Sequence, residues 1–87
     1  MATVWIPSSL HSYTDKKSKT VASGRTVDEA THDLDRQYPG IRFRFVDEQD
    51  SIRPHIKIFL NREQIHDLSV GIQSNDEIAI VQAFSGG

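Results

Sequence analysis

Hydrophobic and polar residues alternate in several short runs of this chain, as they do in the strands of a small sheet. The predicted strands are residues 3–6, 20–22, 55–60 and 78–81, with a short edge piece at 64–65. Residues 41–45, Ile-Arg-Phe-Arg-Phe, also alternate and are predicted to form a strand or an extended segment. The polar and basic residues 8–18 are predicted to form a loop or a hairpin turn.

The hydrophobic period lengthens between residues 26 and 38, where a helix is predicted. Its apolar positions are three or four residues apart and lie on one helical face: Val27, Ala30, Leu34 and Tyr38. Thr26 and Glu29 form a capping-box pattern at the start, and Pro39-Gly40 ends the helix. We expect this face to pack on inward-facing strand residues, namely Val4, Ile6, Ile56, Ile58, Leu60, Ile78 and Ile80.

The element order is β-β-α-β-(β)-β, with one helix covering one face of the sheet. This order and a length of 87 residues predict an α+β β-grasp (ubiquitin-like) fold with a mixed four- to five-stranded sheet and one principal helix. A chain of this size forms one small domain. We expect residues 1–84 to be that domain and residues 85–87 to be a flexible C-terminal Gly-Gly tail.

The same alternation predicts which residues face solvent. If Val4, Ile58 and Ile80 point inward, then their neighbours Trp5, Phe59 and Val81 point outward, on strands that adjoin in a β-grasp sheet. Monomers rarely leave a contiguous apolar patch unused, so Trp5, Phe59 and Val81 are predicted to form a partner-docking face. The alternatives are three scattered apolar residues, or a core misassigned by a one-residue register slip.

Composition excludes several kinds of function. The net charge of −2 is not that of a nucleic-acid-binding domain. With no cysteine, the chain has no disulfide, thiolate metal site or thiol nucleophile, which fits a cytoplasmic protein. No signal peptide or membrane-spanning run is apparent. The four histidines lack metal-ligand spacing, and no residue is placed as a catalytic base, so neither a metal site nor a catalytic residue is predicted.

The chain ends Phe84-Ser85-Gly86-Gly87, which places the terminal carboxylate on two residues without side chains. Such a stalk can enter a channel that larger residues would block. Four extended residues reach about 13–14 Å, enough to enter a partner's active site. The simpler reading is a frayed terminus without function.

Four internal segments and the Gly-Gly terminus, taken in order, make the chain resemble the ThiS/MoaD family of ubiquitin-like sulfur carriers. They are Thr26–Ala30, Tyr38-Pro39-Gly40, Phe59-Leu60-Asn61, Asn75-Asp76-Glu77-Ile78 and Gly86-Gly87. Residues 47–56 are most similar to the CysO-type branch. Two turns depart from the family pattern: Asn61-Arg62-Glu63 lacks a glycine after the asparagine, and Ser74-Asn75-Asp76 replaces an Asp-Gly-Asp turn. Both departures leave the terminal chemistry intact.

The resemblance implies that Gly87 is adenylated and converted to a thiocarboxylate, with Phe84, Ser85, Gly86 and Gly87 entering the partner's channel. It implies a ThiF/MoeB-like adenylating enzyme that uses ATP, a sulfur-accepting biosynthetic enzyme and, where a precursor extends past Gly87, a peptidase. The protein would then be a cosubstrate rather than an enzyme, with no bound cofactor and no nucleic-acid or membrane partner.

Several alternatives stay open at the level of sequence. The chain could instead be a ubiquitin-like modifier joined to target lysines, the small subunit of molybdopterin synthase, or a β-grasp binding module with an incidental tail. The sulfur acceptor, whether cysteine or another sulfur-containing metabolite or cofactor, is also left open.

Overall fold

A mixed five-stranded sheet forms one layer of the fold. The computed structural model describes residues 1–83 of the chain. The strands are β1 (Ala2–Trp5), β2 (Lys19–Ala22), β3 (Ile56–Leu60), β4 (Glu63–Ile65) and β5 (Glu77–Gln82). Their order is β2-β1-β5-β3-β4, with β1 parallel to β5 and the other neighbouring pairs antiparallel. The predicted β-grasp class and the short edge strand are both confirmed.

The principal helix, α1 (Val27–Gln37), forms where the sequence predicts it. Thr26 caps it, because its hydroxyl oxygen accepts the backbone N–H of Glu29 at 3.1 Å. The Glu29 carboxylate in turn accepts the N–H of Arg25 at 2.9 Å, one residue before the position expected in a capping box. These bonds satisfy backbone donors that the first helical turn leaves unpaired.

Helix α1 packs across one face of the sheet, which we call the inner face. Ala30 and Leu34 line a small gap together with the inward-facing residues of the central strands: Val4, Ile58, Ile78 and Ile80. Two predicted core residues, Tyr38 and Leu60, are only partly buried. The Tyr38 hydroxyl lies at the helix end, 3.2 Å from the Thr20 hydroxyl, where it keeps a polar partner.

The prediction of a strand or extended segment at residues 41–45 is wrong, because Arg42–Phe45 form a short helix, α2. Ile41 and Phe45 are both fully buried, whereas Phe43 is 53% exposed. Residues four apart share a face in a helix as well as in a strand, so the alternation did not distinguish the two. The Asp35 carboxylate favours the helix by accepting the backbone N–H groups of Gly40 and Arg42.

The predicted loop at residues 8–18 is more ordered than its polar composition indicates. It begins with a 3₁₀ helix, Ser8–Leu10, that buries Leu10. Thr14 is also buried, and its hydroxyl donates to the carbonyl oxygen of Lys17 at 2.7 Å. This loop therefore closes one edge of the core. Within residues 1–83, no helix has the length and apolar character needed to span a bilayer.

Candidate functional site

The sheet face opposite α1, which we call the outer face, brings the predicted docking residues close together. Trp5 is level with Ala79 in the β1–β5 pair, and Ala79 is level with Phe59 in the β5–β3 pair. Val81 lies two residues further along β5, level with Lys57. Because neighbours in register point to the same side of a sheet, these side chains share the outer face.

Trp5 and Phe59 border an open groove on this face. The groove has a volume of about 430 Å³, and its walls are Trp5, Phe59, Asn61, Arg62, Glu77 and Ala79. Trp5 is 41% exposed, Val81 is 40% exposed and Phe59 is half-buried. Val81 lies beside the groove rather than in it. A partner could therefore bury two aromatic rings and an aliphatic side chain at once.

Polar contacts hold the Trp5 ring in place. Its indole N–H donates to the Glu77 carboxylate at 2.9 Å, across the parallel strand pair. The Lys19 ammonium on the neighbouring strand β2 lies 5.4 Å from the ring centroid, within cation–π range. Trp5 is consequently presented in a fixed orientation, which reduces the entropy lost when a partner covers it.

The turn that closes the groove is tied to β5 through Asn61. The backbone N–H of Asn61 donates to the Glu77 carbonyl oxygen at 2.8 Å, and its side-chain oxygen accepts the Glu77 N–H at 2.9 Å. Its amide nitrogen also donates to the Asp76 carboxylate at 3.0 Å. The hydrogen bond from Asn61 is the main reason why the pKa of Asp76 lies below its usual value, and a second hydrogen bond, from the backbone N–H of Gln73, lowers it further. The end of β5 that borders the groove is therefore held by the hairpin beside it.

A second, cationic groove lies where the described chain ends. It has a volume of about 330 Å³ and is lined by Ser9, Leu10, Phe43, Arg44, Arg53, His55 and Gln82. The Arg53 guanidinium stacks on the Phe43 ring at 4.4 Å, and its Nε–H donates to the Phe43 carbonyl oxygen at 2.7 Å. Ala83 donates its N–H to the His55 carbonyl oxygen at 2.7 Å. The segment that leads to the terminus thus leaves the sheet beside fixed positive charge.

Four predicted site residues, Phe84, Ser85, Gly86 and Gly87, lie outside the described residues. Among residues 1–83, no three metal-ligating side chains lie together.

Sequence reasoning missed several residues of the outer face. Val21, on β2, is 44% exposed and extends the apolar surface beyond Trp5. Arg62 and Glu77 line the groove, and Lys19 covers Trp5. The alternation of β2 could have identified Lys19 and Val21 as outward-facing, because they are two residues apart and alternate with the inward-facing Thr20 and Ala22. Arg62 belongs to a turn and has no alternation to show its direction, although the missing glycine after Asn61 marks its position in the sequence.

Comparison with known proteins assigns the chain to a family. The sequence profile of the ThiS family matches residues 4–87. The sulfur carrier protein CysO of Mycobacterium tuberculosis is 31% identical over 90 residues, covering 98% of this chain and 97% of that protein. Both matches extend over nearly the whole chain.

Solved structures agree with the sequence comparison. The crystal structure of the BexX/CysO complex of Amycolatopsis orientalis contains a chain that superposes with a TM-score of 0.92 at 29% identity, covering all of both chains. The small archaeal modifier protein 1 of Methanosarcina acetivorans superposes with a TM-score of 0.81 at 21% identity, covering 99% of this chain and 95% of that one, and shares the fold. From its sequence and its fold, the chain belongs to the ThiS family and is of the CysO-like type.

Proposed function

We propose that this protein carries sulfur as a thiocarboxylate on Gly87 and is a cosubstrate of partner enzymes. The observation that carries the proposal is the family match, which extends through Gly86-Gly87 to the last residue. The similarity to CysO over 98% of the chain supports it, since that relative is named a sulfur carrier protein.

The proposed chemistry begins at the Gly87 carboxylate, which is ionised at neutral pH and is a poor electrophile. A ThiF/MoeB-like partner binds ATP, and a carboxylate oxygen attacks the α-phosphate while pyrophosphate leaves. A hydrosulfide equivalent then attacks the acyl carbon of the adenylate. The carbon–sulfur bond forms, AMP leaves, and the terminus becomes a thiocarboxylate that donates its sulfur to an activated metabolite in biosynthesis.

The globule contributes recognition to this scheme rather than catalysis. We propose that Trp5, Phe59 and Val81 dock the adenylating enzyme while residues 84–87 enter its channel. The described chain leaves the sheet at Ala83, on β5's continuation beyond Val81, so the docking surface and the terminus are joined by one strand. A partner seated on the outer face can thus receive the tail without unfolding the domain.

A second candidate function is a ubiquitin-like protein modifier. The fold shared with the small archaeal modifier protein 1 supports this second candidate. Activation would follow the same course, but a lysine amine would attack the adenylate-derived acyl group and form an isopeptide bond. The two functions therefore diverge at the nucleophile and leave different products. A molybdopterin synthase small subunit would carry the same thiocarboxylate and differ only in the sulfur acceptor.

Intact-protein mass spectrometry of the chain isolated from its native host distinguishes these products. The sulfur-carrier proposal predicts a species in which one terminal oxygen is replaced by sulfur, and alkylation of that species should locate the sulfur at Gly87. Conjugates to other proteins, without any thiocarboxylate, would identify a modifier. A chain that is always unmodified would favour a binding module with an incidental tail.

A further inference from the structure

The hairpin between β3 and β4 places an arginine where the backbone favours glycine. Leu60 pairs with Glu63, so Asn61 and Arg62 form a two-residue connection. Both have positive φ, 51° for Asn61 and 74° for Arg62, as in a type I′ turn. Asparagine tolerates this left-handed conformation, whereas the second position favours glycine because a Cβ is disfavoured there.

No contact of the Arg62 side chain within residues 1–83 offsets the cost of this strained backbone. The Arg62 side chain is exposed and takes part in no ion pair or hydrogen bond with residues 1–83. Asn61 makes the contacts that pin the turn to β5, and a glycine at position 62 would leave those contacts in place. Because Asp15 and Lys16 have similar φ values away from the groove, the strain at Arg62 indicates a role in function only in combination with its place beside the groove.

Arg62 lies at the groove of the outer face, together with Trp5 and Phe59. Because Asn61 fixes the turn, the arginine stem starts from a defined position at the groove edge. Arginine presents a planar fork of donors that matches a carboxylate and loses less freedom on binding than a flexible cation does. The groove thus combines two aromatic walls with an arginine at its edge.

The charge on this face is opposite in sign to that of the whole chain. Lys19, Lys57 and Arg62 border the groove and Val81, and Glu77 is the only carboxylate among the outward-facing residues of β1, β3 and β5. Glu77 already accepts the Trp5 indole N–H. Counted together with Asp76, whose carboxylate accepts from Asn61 at the groove edge, the surface has three cations and two carboxylates. Its net charge is +1, whereas the chain carries −2. A complementary partner therefore presents carboxylates.

We propose that Arg62 is a specificity-determining residue of the docking surface, where it pairs with a carboxylate that the partner protein presents beside the apolar side chains filling the Trp5–Phe59 groove. The inference rests on the proposed function, since its partner is the adenylating enzyme that accepts the tail. It goes further by assigning that enzyme an acidic side chain at a defined place on its contact surface.

Substitution at Arg62 separates the strain from the charge. Arg62→Gly removes both, and Arg62→Lys keeps the positive charge and the strained position. Lys16→Gly is the matched control, because Asp15 and Lys16 also have consecutive positive φ values, 54° and 68°, in an exposed turn that does not border the groove. Each full-length variant is titrated against the purified adenylating enzyme of the same organism at about 0.05 M and about 0.5 M salt, beside thermal unfolding.

Arg62→Gly should raise Tm by roughly 3–8 °C and weaken binding roughly 3- to 10-fold at low salt, with a smaller difference at high salt. Arg62→Lys should leave Tm unchanged and keep most of the affinity. Lys16→Gly should raise Tm similarly and leave the affinity unchanged.

Affinity of Arg62→Gly equal to that of the unaltered protein would overturn the inference and leave the sulfur-carrier proposal intact. An unchanged or lowered Tm in that variant would also overturn it, because the position would then carry no strain. Failure of the unaltered protein to bind would instead reject the proposed function together with its partner. A labelled oligouridylate that binds the unaltered protein but not Arg62→Gly would assign the surface to nucleic acid and contradict the inference.

Discussion

The direction in which a side chain points decides whether a residue of this sheet belongs to the core or to the outer face. Ile58 is buried under α1, whereas the next residue, Phe59, faces the groove on the opposite side. A single residue step therefore separates a residue that stabilises the fold from one that is available to a partner. Trp5 follows Val4 in the same way on β1.

Phe59→Ala tests the docking face at this scale. The substitution should weaken binding of the adenylating enzyme by about 1–3 kcal/mol, because a half-buried aromatic ring at the centre of a groove is typical of an interface anchor. The fold should be nearly unchanged, since the ring lies on the face away from α1. Binding is measured by calorimetry and the fold by circular dichroism.

His32→Ala is the control, because His32 is an exposed aromatic residue on α1, which covers the opposite face of the sheet. It should leave the affinity unchanged. A folded Phe59→Ala protein that binds as tightly as the unaltered chain would reject the docking face.

At the scale of elements, sequence predicts best where one pattern excludes the others. The spacing of Val27, Ala30 and Leu34 fits only a helix, and α1 is found within one residue of its predicted bounds. The spacing of Ile41, Phe43 and Phe45 fits a strand and also a helix that buries only its first and last members. The choice depends on Asp35, whose carboxylate caps this segment from another element.

Contacts between elements that are distant in the chain could not be predicted for the same reason. Arg42 on α2 donates to Thr31 and Asp28 of α1 and to Asp50 of the following loop. Its side chain is only 12% exposed, so these bonds satisfy a nearly buried charge. No local pattern identifies those partners, because the fold itself brings them together.

Leu34→Ala tests the packing of α1 on the sheet. Leu34 is 1% exposed and borders Val4, Ile58 and Ile80, so its truncation should lower the free energy of unfolding by roughly 2–5 kcal/mol. Urea titration measures the loss. His32→Ala, on the exposed side of the same helix, should change it by less than about 0.5 kcal/mol. Equal losses in the two variants would contradict the assigned helix face.

At the scale of the whole molecule, the residues that stabilise the domain are separate in sequence from the residue that is proposed to react. All core residues among residues 1–83 precede Val81, and the outer face is built on the central strands β1, β5 and β3. The predicted reactive group, Gly87, lies beyond that core in sequence. The account therefore expects changes at the terminus to affect sulfur loading without affecting folding.

The most direct test of this account is ATP-dependent activation of a chain that lacks Gly87. The assay follows adenylation by the cognate activating enzyme and subsequent sulfur loading, beside thermal unfolding of the same preparation. Replacing Gly86 with phenylalanine provides a second variant, which keeps Gly87 and the full length of the tail but widens it.

Both variants should lose activation, because the terminal carboxylate of one stops a residue short of the activating site and the other cannot pass the partner's channel. Both should keep the Tm of the unaltered protein. If the chain lacking Gly87 were still activated and loaded with sulfur, the carrier account would be wrong. A large fall in Tm on deletion of Gly87 would contradict the separation of the terminus from the fold.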